Sequence, residues 1–206
     1  MLPPLSLVLE RIWSDALGGD LWLNIGVTLY RAIAGFLIAA VAGVVLGMAM
    51  SRSKIMSWFF DPIISVGFPM PKIAFLPIII LWLGLYDVSK IAMIVFDAIF
   101  PVVTATIVGI QGVEKELIWS ARNMGAKDRE MMWQIVLPAA LPQILTGLQV
   151  ALPIALIVAV VCEMAMGGYG LFGVLVDLVV EMVPNRLLTP TFAVMPAAGT
   201  HMRGVS

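Results

Sequence analysis

The sequence predicts an all-α, polytopic membrane helix bundle with four clear spans and an incomplete fifth. Three observations carry that reading. Of the 206 residues, 61% are hydrophobic and 12% charged, and the mean hydropathy is +1.04; a water-soluble domain of this length has too little interior to bury so much apolar surface. The apolar runs are continuous rather than alternating, which suits helices and not barrel strands. One charge-rich segment, 114–142, separates the third run from the fourth.

Residues 1–20 form an N-terminal segment whose short apolar run is interrupted by Glu10 and Arg11, so it does not read as a cleaved signal. Leu21–Met50 is the first span, long enough for a hydrocarbon core of ~30 Å, which takes ~20 helical residues. Its only formal charge is Arg31. The second span, Ile63–Tyr86, is interrupted by Pro71, Lys72 and Pro77. The third, Ile91–Gln111, carries Asp97 and Pro101; the fourth, Ile144–Met166, holds Pro153 and has Glu163 near its end. Leu171–Val183, broken by Asp177 and Glu181, is too short to cross alone, and Leu187–Ala198 contains Pro190 and Pro196 before a polar tail. The expectation is one membrane domain over 21–186, with 187–206 an incomplete last span and tail.

Lysines and arginines set the expected orientation. Arg52 and Lys54 follow the first span, and Lys115, Arg122, Lys127 and Arg129 lie between the third and fourth. Alternating spans bring both loops to one side. Ser51–Pro62 and Glu114–Pro142 are therefore expected in the cytoplasm, with residues 1–20 outside. The other connections are short, which predicts antiparallel packing of neighbouring spans.

Several function classes are excluded at this stage. A net charge of -1 offers no basic stripe for nucleic acid. Cys162 is the only cysteine and His201, in the tail, the only histidine, so no disulfide, metal site or nucleophile–histidine set is expected. No G-x-x-x-x-G-K-[ST] occurs, so the chain carries no nucleotide-binding loop. No cofactor and no catalytic residue are expected.

Three constellations inside the spans could carry function. Gly35, Ala39, Gly43 and Gly47 lie four apart and form one smooth helical face, read as intrachain packing in preference to a dimer seam. Pro69 and Pro71, with Pro77, free backbone groups that are tolerated only where buried or lining a wet cavity; the alternative is an interfacial kink with Lys72 reaching to headgroups. Asp97 and Glu163 are carboxylates that membranes bury only toward a bundle interior or a water path, although Glu163 also fits the outer interface. Neither has an obvious cationic partner at helical spacing, so no proton relay is expected.

The segment 114–142 is polar, yet Leu117, Ala121, Met124, Met131, Met132 and Ile135 recur through it at helical spacing until Leu137-Pro138. An amphipathic helix hung between spans implies a partner docking from the water side. Its pattern resembles the cytoplasmic signature of the permease subunits of binding-protein-dependent ABC importers: E-A-A, three residues, G, nine residues, I-x-L-P. Ser120 and Ala121 take the alanine positions, Gly125 the glycine, and Ile135-Val136-Leu137-Pro138 the close. Trp119 stands at the glutamate position, with Glu116 one turn earlier as a substitute.

The resemblance runs from Leu21 to Gly173 and is similar to the nitrate/sulfonate/taurine branch at Thr28-Leu29-Tyr30-Arg31, Gly35-Phe36, Leu81-Trp82-Leu83-Gly84 and Gly168-Tyr169-Gly170. It implies a type I ABC importer permease fold, multi-pass in the bacterial inner membrane. It also implies a translocation pathway for a small anion or sulfonate-like solute, with Pro69, Pro71, Asp97 and Glu163 as candidate lining residues. The implied partners are a dimeric cytoplasmic ATPase, a second permease copy as homodimer, and a periplasmic or extracellular solute-binding protein. Docking on the ATPase would fall to Glu116, Ser120, Ala121, Arg122, Gly125, Ala126, Ile135, Leu137 and Pro138, with Ala121 and Gly125 small enough for a partner backbone to approach. Family members carry a further N-terminal span and a complete final span. This sequence starts close to Leu21 and turns polar after Thr189-Pro190-Thr191-Phe192-Ala193, so a permease shortened at both ends is expected. Two other readings compete: a secondary transporter or channel subunit, disfavoured by the absence of paired intramembrane charges, and a non-functional fragment that keeps the docking loop.

Overall fold

The computed structural model describes Leu17, residues 19–167 and Gly170. The expected N-terminal segment up to residue 16, the Gly168-Tyr169 pair and the incomplete last span and tail lie outside the described residues. Among the described residues the regular structure is helical, with no strand.

Helix α1, Asp20–Arg52, is a proline-free apolar run that ends at Ser53, which adopts an extended conformation. The Ser53 hydroxyl accepts the Met56 N–H at 3.4 Å, so α2, Lys54–Gly67, starts one residue later. The expected loop 51–62 is therefore corrected to a sharp junction followed by helix. The apolar stretch Ile55–Phe60 explains why the chain does not stay a loop there.

The second span is not one continuous helix. Pro69 and Pro71 lack an N–H, so neither can donate to a continuing helical ladder. Helix α2 consequently stops, the chain restarts as a 3₁₀ turn at Lys72–Phe75, and α3 follows over Leu76–Leu83. The two halves meet at 101°. Gly84, at φ 75°, turns the chain into α4, Asp87–Gln111.

Beyond α4 come two short helices, α5 (Lys115–Asn123) and α6 (Asp128–Met131). A π turn at Met132–Val136 then runs straight into α7, Leu137–Met166. Pro138 sits in the first turn of α7, where a missing N–H is harmless. The Leu137 N–H reaches back to the Met132 carbonyl, so the ladder widens ahead of the proline instead of stopping.

Helices α1, α4 and α7 form the core. Glycines let α1 settle directly onto α4: a Cβ at Gly35 would strike Ile94, one at Gly43 Val102, and one at Gly47 Thr106. These pairs keep a constant sequence offset, so α1 and α4 run parallel. Gly147 of α7 meets Pro101 and Ala105, while Gly109 meets Ala140 and Gln143, so α7 runs antiparallel to α4. Ala39, Ala98, Ala151 and Ala155 are fully buried along these seams. In lipid, such close van der Waals packing replaces the hydrophobic drive available in water.

Among the described residues three helices are long and apolar enough to cross a membrane, or four spans if the bent pair is one. The parallel course of α1 and α4 requires the chain between them to return across the same thickness. The bent pair is accordingly one broken span and not a re-entrant dip.

Candidate functional site

Two groups of residues stand out: the turn between α4 and α7, and the charges buried among the helices. At the turn, α5 stops in a Schellman motif. The Ala126 N–H donates to the Ala121 carbonyl at 3.1 Å and the Gly125 N–H to the Arg122 carbonyl at 3.0 Å. Gly125 holds φ 83°, with nothing within 4 Å of where a Cβ would stand. Its requirement is conformational, not steric. The Lys127 N–H then donates to Glu130 Oε2 at 3.3 Å, closing the start of α6 as in a capping box.

Ala121 is turned inward. It is buried with Val113, Met131, Val136, Ala140 and Ile144, which fasten the turn to the ends of α4 and α7. Its small size serves this internal seam, so the expectation that Ala121 leaves room for a partner is corrected. Glu116, Ser120, Arg122, Gly125 and Pro138 are exposed, while Ala126, Ile135 and Leu137 are half-buried around the same small core. Between the polar groups the turn displays Leu117, Trp119, Met124 and Trp133, with Met124 84% exposed. The Arg122–Asp128 pair at 3.6 Å is open to solvent and contributes little.

The second group overturns an expectation. Glu163, 1% exposed, accepts from Arg31 Nη1 at 3.0 Å and from the Thr28 hydroxyl at 2.8 Å. Arg31 also grips Asp87 Oδ1 through Nε at 3.0 Å and Nη2 at 2.6 Å. Lys90 donates to the Gly167 carbonyl at 2.9 Å, covering the C-terminal end of α7. Gly170 lies against the Glu163 carboxylate so closely that any side chain there would collide with it. Deeper along α4, Lys72 pairs with Asp97 at 2.9 Å.

Both carboxylates therefore have cations. Their partners come from other helices, which spacing along a single run does not reveal. Glu163 is closed into the α1–α4–α7 seam, where it ties helices together. Asp97 remains partly accessible, and Pro69 and Pro71 are exposed at the break. Gly35, Ala39, Gly43 and Gly47 all lie on the face of α1 that packs within the chain.

A family model described as "Binding-protein-dependent transport system inner membrane component" matches residues 35–197. The chain belongs to this family. The permease is 31% identical to the taurine transport system permease protein TauC of Escherichia coli K12, over 94% of this chain and 72% of TauC. It is 36% identical to a putative aliphatic sulfonates transport permease, SsuC of Bacillus subtilis, over 78% of this chain and 58% of that protein. It is 35% identical to the nitrate import permease NrtB of Synechocystis, over 73% of this chain and 55% of NrtB. The chain thus spans little more than half the length of the last two. It is an ABC importer permease of the taurine/sulfonate/nitrate branch and an inner-membrane protein.

In this permease the sequence reading missed Thr28, Asp87 and Lys90 as members of a charged cluster. One signal was available. Arg31 is a lone charge in an otherwise apolar span, and such a group requires a buried counter-charge.

Proposed function

We propose that this permease forms the translocation pathway of an ATP-driven importer together with a second copy of itself, and couples it to a separate cytoplasmic ATPase through the 114–142 turn. The observation that supports this most is the shape of the turn: a short helix, stopped by Gly125, fixed from beneath by Ala121, and carrying exposed Leu117, Trp119 and Met124. Apolar side chains held outward on a rigid polar turn suit insertion into a cleft of another protein. Arg122, Lys127 and Asp128 would supply the polar rim that fixes register.

With this turn in the cytoplasm, α1 and α4 begin outside, and the Arg31 cluster lies toward the face that meets a solute-binding protein. The names of the relatives support a small anionic or sulfonate-like solute. Nucleotide-driven closure of the ATPases would bias the pathway only through contacts that differ between two states.

The deciding experiment is purification of the tagged permease with its ATPase. A cysteine at Lys127 should react with a water-soluble maleimide only when the cytoplasmic face is opened, and should be protected by bound ATPase. Labelling from the exterior of intact cells would overturn the orientation. Absence of any associated ATPase would leave the secondary-transporter reading, which the buried charge pairs no longer disfavour.

A further inference from the structure

The broken span rests on α4 through an unusually well-built joint. Asp97 lies ten residues into α4, which at about 1.5 Å per residue places it ~15 Å from the helix start, near the middle of a ~30 Å hydrocarbon core. Lys72 is the first residue after the break and is 7% exposed. Its ammonium makes four contacts: Asp97 Oδ1 at 2.9 Å, the Phe68 carbonyl at 3.2 Å, and the rings of Phe100 and Phe68, 4.7 Å and 5.9 Å from their centroids. In an unbroken helix the Phe68 carbonyl would take the Lys72 backbone N–H. Here the side chain of the same residue replaces that lost bond. Phe100 also fills the space beneath Gly67, where a Cβ would collide with the ring. One lysine therefore clips both sides of the break to two residues of α4 that share a helical face.

The rest of the span is held less fully, by half-buried Ile79 and Ile80 against the core and by the edge contact of Phe75 with Phe96 at 5.6 Å. Helix α2 has no buried residue, and α3 buries only Leu76. Phe68, Pro69, Met70 and Pro71 are exposed, although irregular backbone at this depth has no hydrogen-bond partners in hydrocarbon and belongs where protein or water covers it. The helices α1, α4 and α7 are by contrast locked by glycine contacts and by the Arg31–Glu163 pair.

We propose that Lys72 is the pivot of the broken span, a positioning residue that holds the break to Asp97 and Phe100 while α2 and α3 change angle during transport. This rests on the importer reading above. The pair is electroneutral, so it can stay buried throughout a cycle, and the aromatic face lets the ammonium rotate without losing all its partners.

The test uses the assembled permease–ATPase complex in liposomes, with the buried native Cys162 retained and one cysteine introduced at Met70. Maleimide labelling of Met70→Cys should differ at least fivefold between the nucleotide-free and the ATP–vanadate-trapped complex. Lys72→Met or Asp97→Asn should shrink that difference below twofold. Lys72→Arg, which keeps a cationic donor at this position, should preserve it. Equal labelling in the two states overturns the pivot, as does a fivefold difference that survives in Lys72→Met. Should the single variants fail to assemble, Lys72→Arg decides: a labelling difference of at least fivefold supports the pivot, and one below twofold overturns it. A parallel cysteine at Lys127 separates the two levels. If Lys127→Cys responds to ATPase and nucleotide but Met70→Cys does not, the pivot alone falls; if neither responds, the importer reading falls and takes the pivot with it.

Discussion

Arg31 and Glu163, 132 residues apart in sequence, meet at 3.0 Å in the seam of α1, α4 and α7. Both are almost completely shielded. Removing one partner leaves an uncompensated buried charge, an arrangement that typically costs about 3–5 kcal/mol. Arg31→Gln should lower the detergent melting temperature and membrane abundance sharply. The double variant R31Q/E163Q should recover much of the loss, because the pair is removed as a whole and neither partner is left facing a neutral side chain. A single variant as stable as the parent would refute the clasp.

Asp87 shares the same guanidinium but is 58% exposed. Solvent screens such a pair, so Asp87→Asn should change stability by less than about 1 kcal/mol. Melting curves of the two variants in parallel would expose the asymmetry, and equal losses would contradict it.

Gly125 tests the stop of α5. Its left-handed backbone disfavours any residue with a Cβ by roughly 1–2 kcal/mol, least for asparagine. Gly125→Asp should insert at normal abundance yet lose ATPase coupling and uptake, while Gly125→Asn should retain a substantial part of both. Wild-type transport by the aspartate variant would rule out the coupling role.

Two glycines of α1 make a matched pair. Gly43 has Val102 against it, whereas Gly26 has open space around the position of a Cβ. Gly43→Leu should wedge α1 off α4 and deplete the protein from the membrane. Gly26→Ala should be neutral or slightly stabilising, since alanine favours the helix by roughly 1 kcal/mol. Equal abundance of the two variants would contradict the seam.

Trp119 occupies the acid position of the signature and is 60% exposed. Trp119→Ala should weaken ATPase binding about tenfold, or about 1.4 kcal/mol, without shifting the permease melting temperature. Titration of the purified ATPase against both proteins measures this directly.

Much of this architecture is legible in the residues alone. Continuous apolar runs gave the spans, and the Ser120–Pro138 spacing marked the turn. Gly125 stood out by its place in the spacing, but its left-handed backbone did not, since spacing carries no φ angle. The break at Pro69–Pro71 was visible as prolines, but its 101° angle depends on what α4 offers Lys72 and Gly67. The charge pairs were invisible because each joins different helices, and local periodicity reports only which residues share a face. Ala121 shows the converse error. Its small size suggested room for a partner, yet the burial of Met131, Val136 and Ile144 around it decides which side it faces.

The Arg31 clasp also bears on how the chain is made. Synthesis delivers Arg31 into the bilayer well before the ribosome reaches Glu163, so the nascent first helix must wait with its guanidinium drawn toward the headgroups. Asp87 of α4 offers that cation a first, exposed counter-charge, and the last described helix then supplies the buried one. Polypeptides arrested ahead of Glu163 should accordingly be cleared by membrane quality-control proteases, and neutralising Arg31 should prolong the lifetime of those arrested forms while shortening that of the finished one.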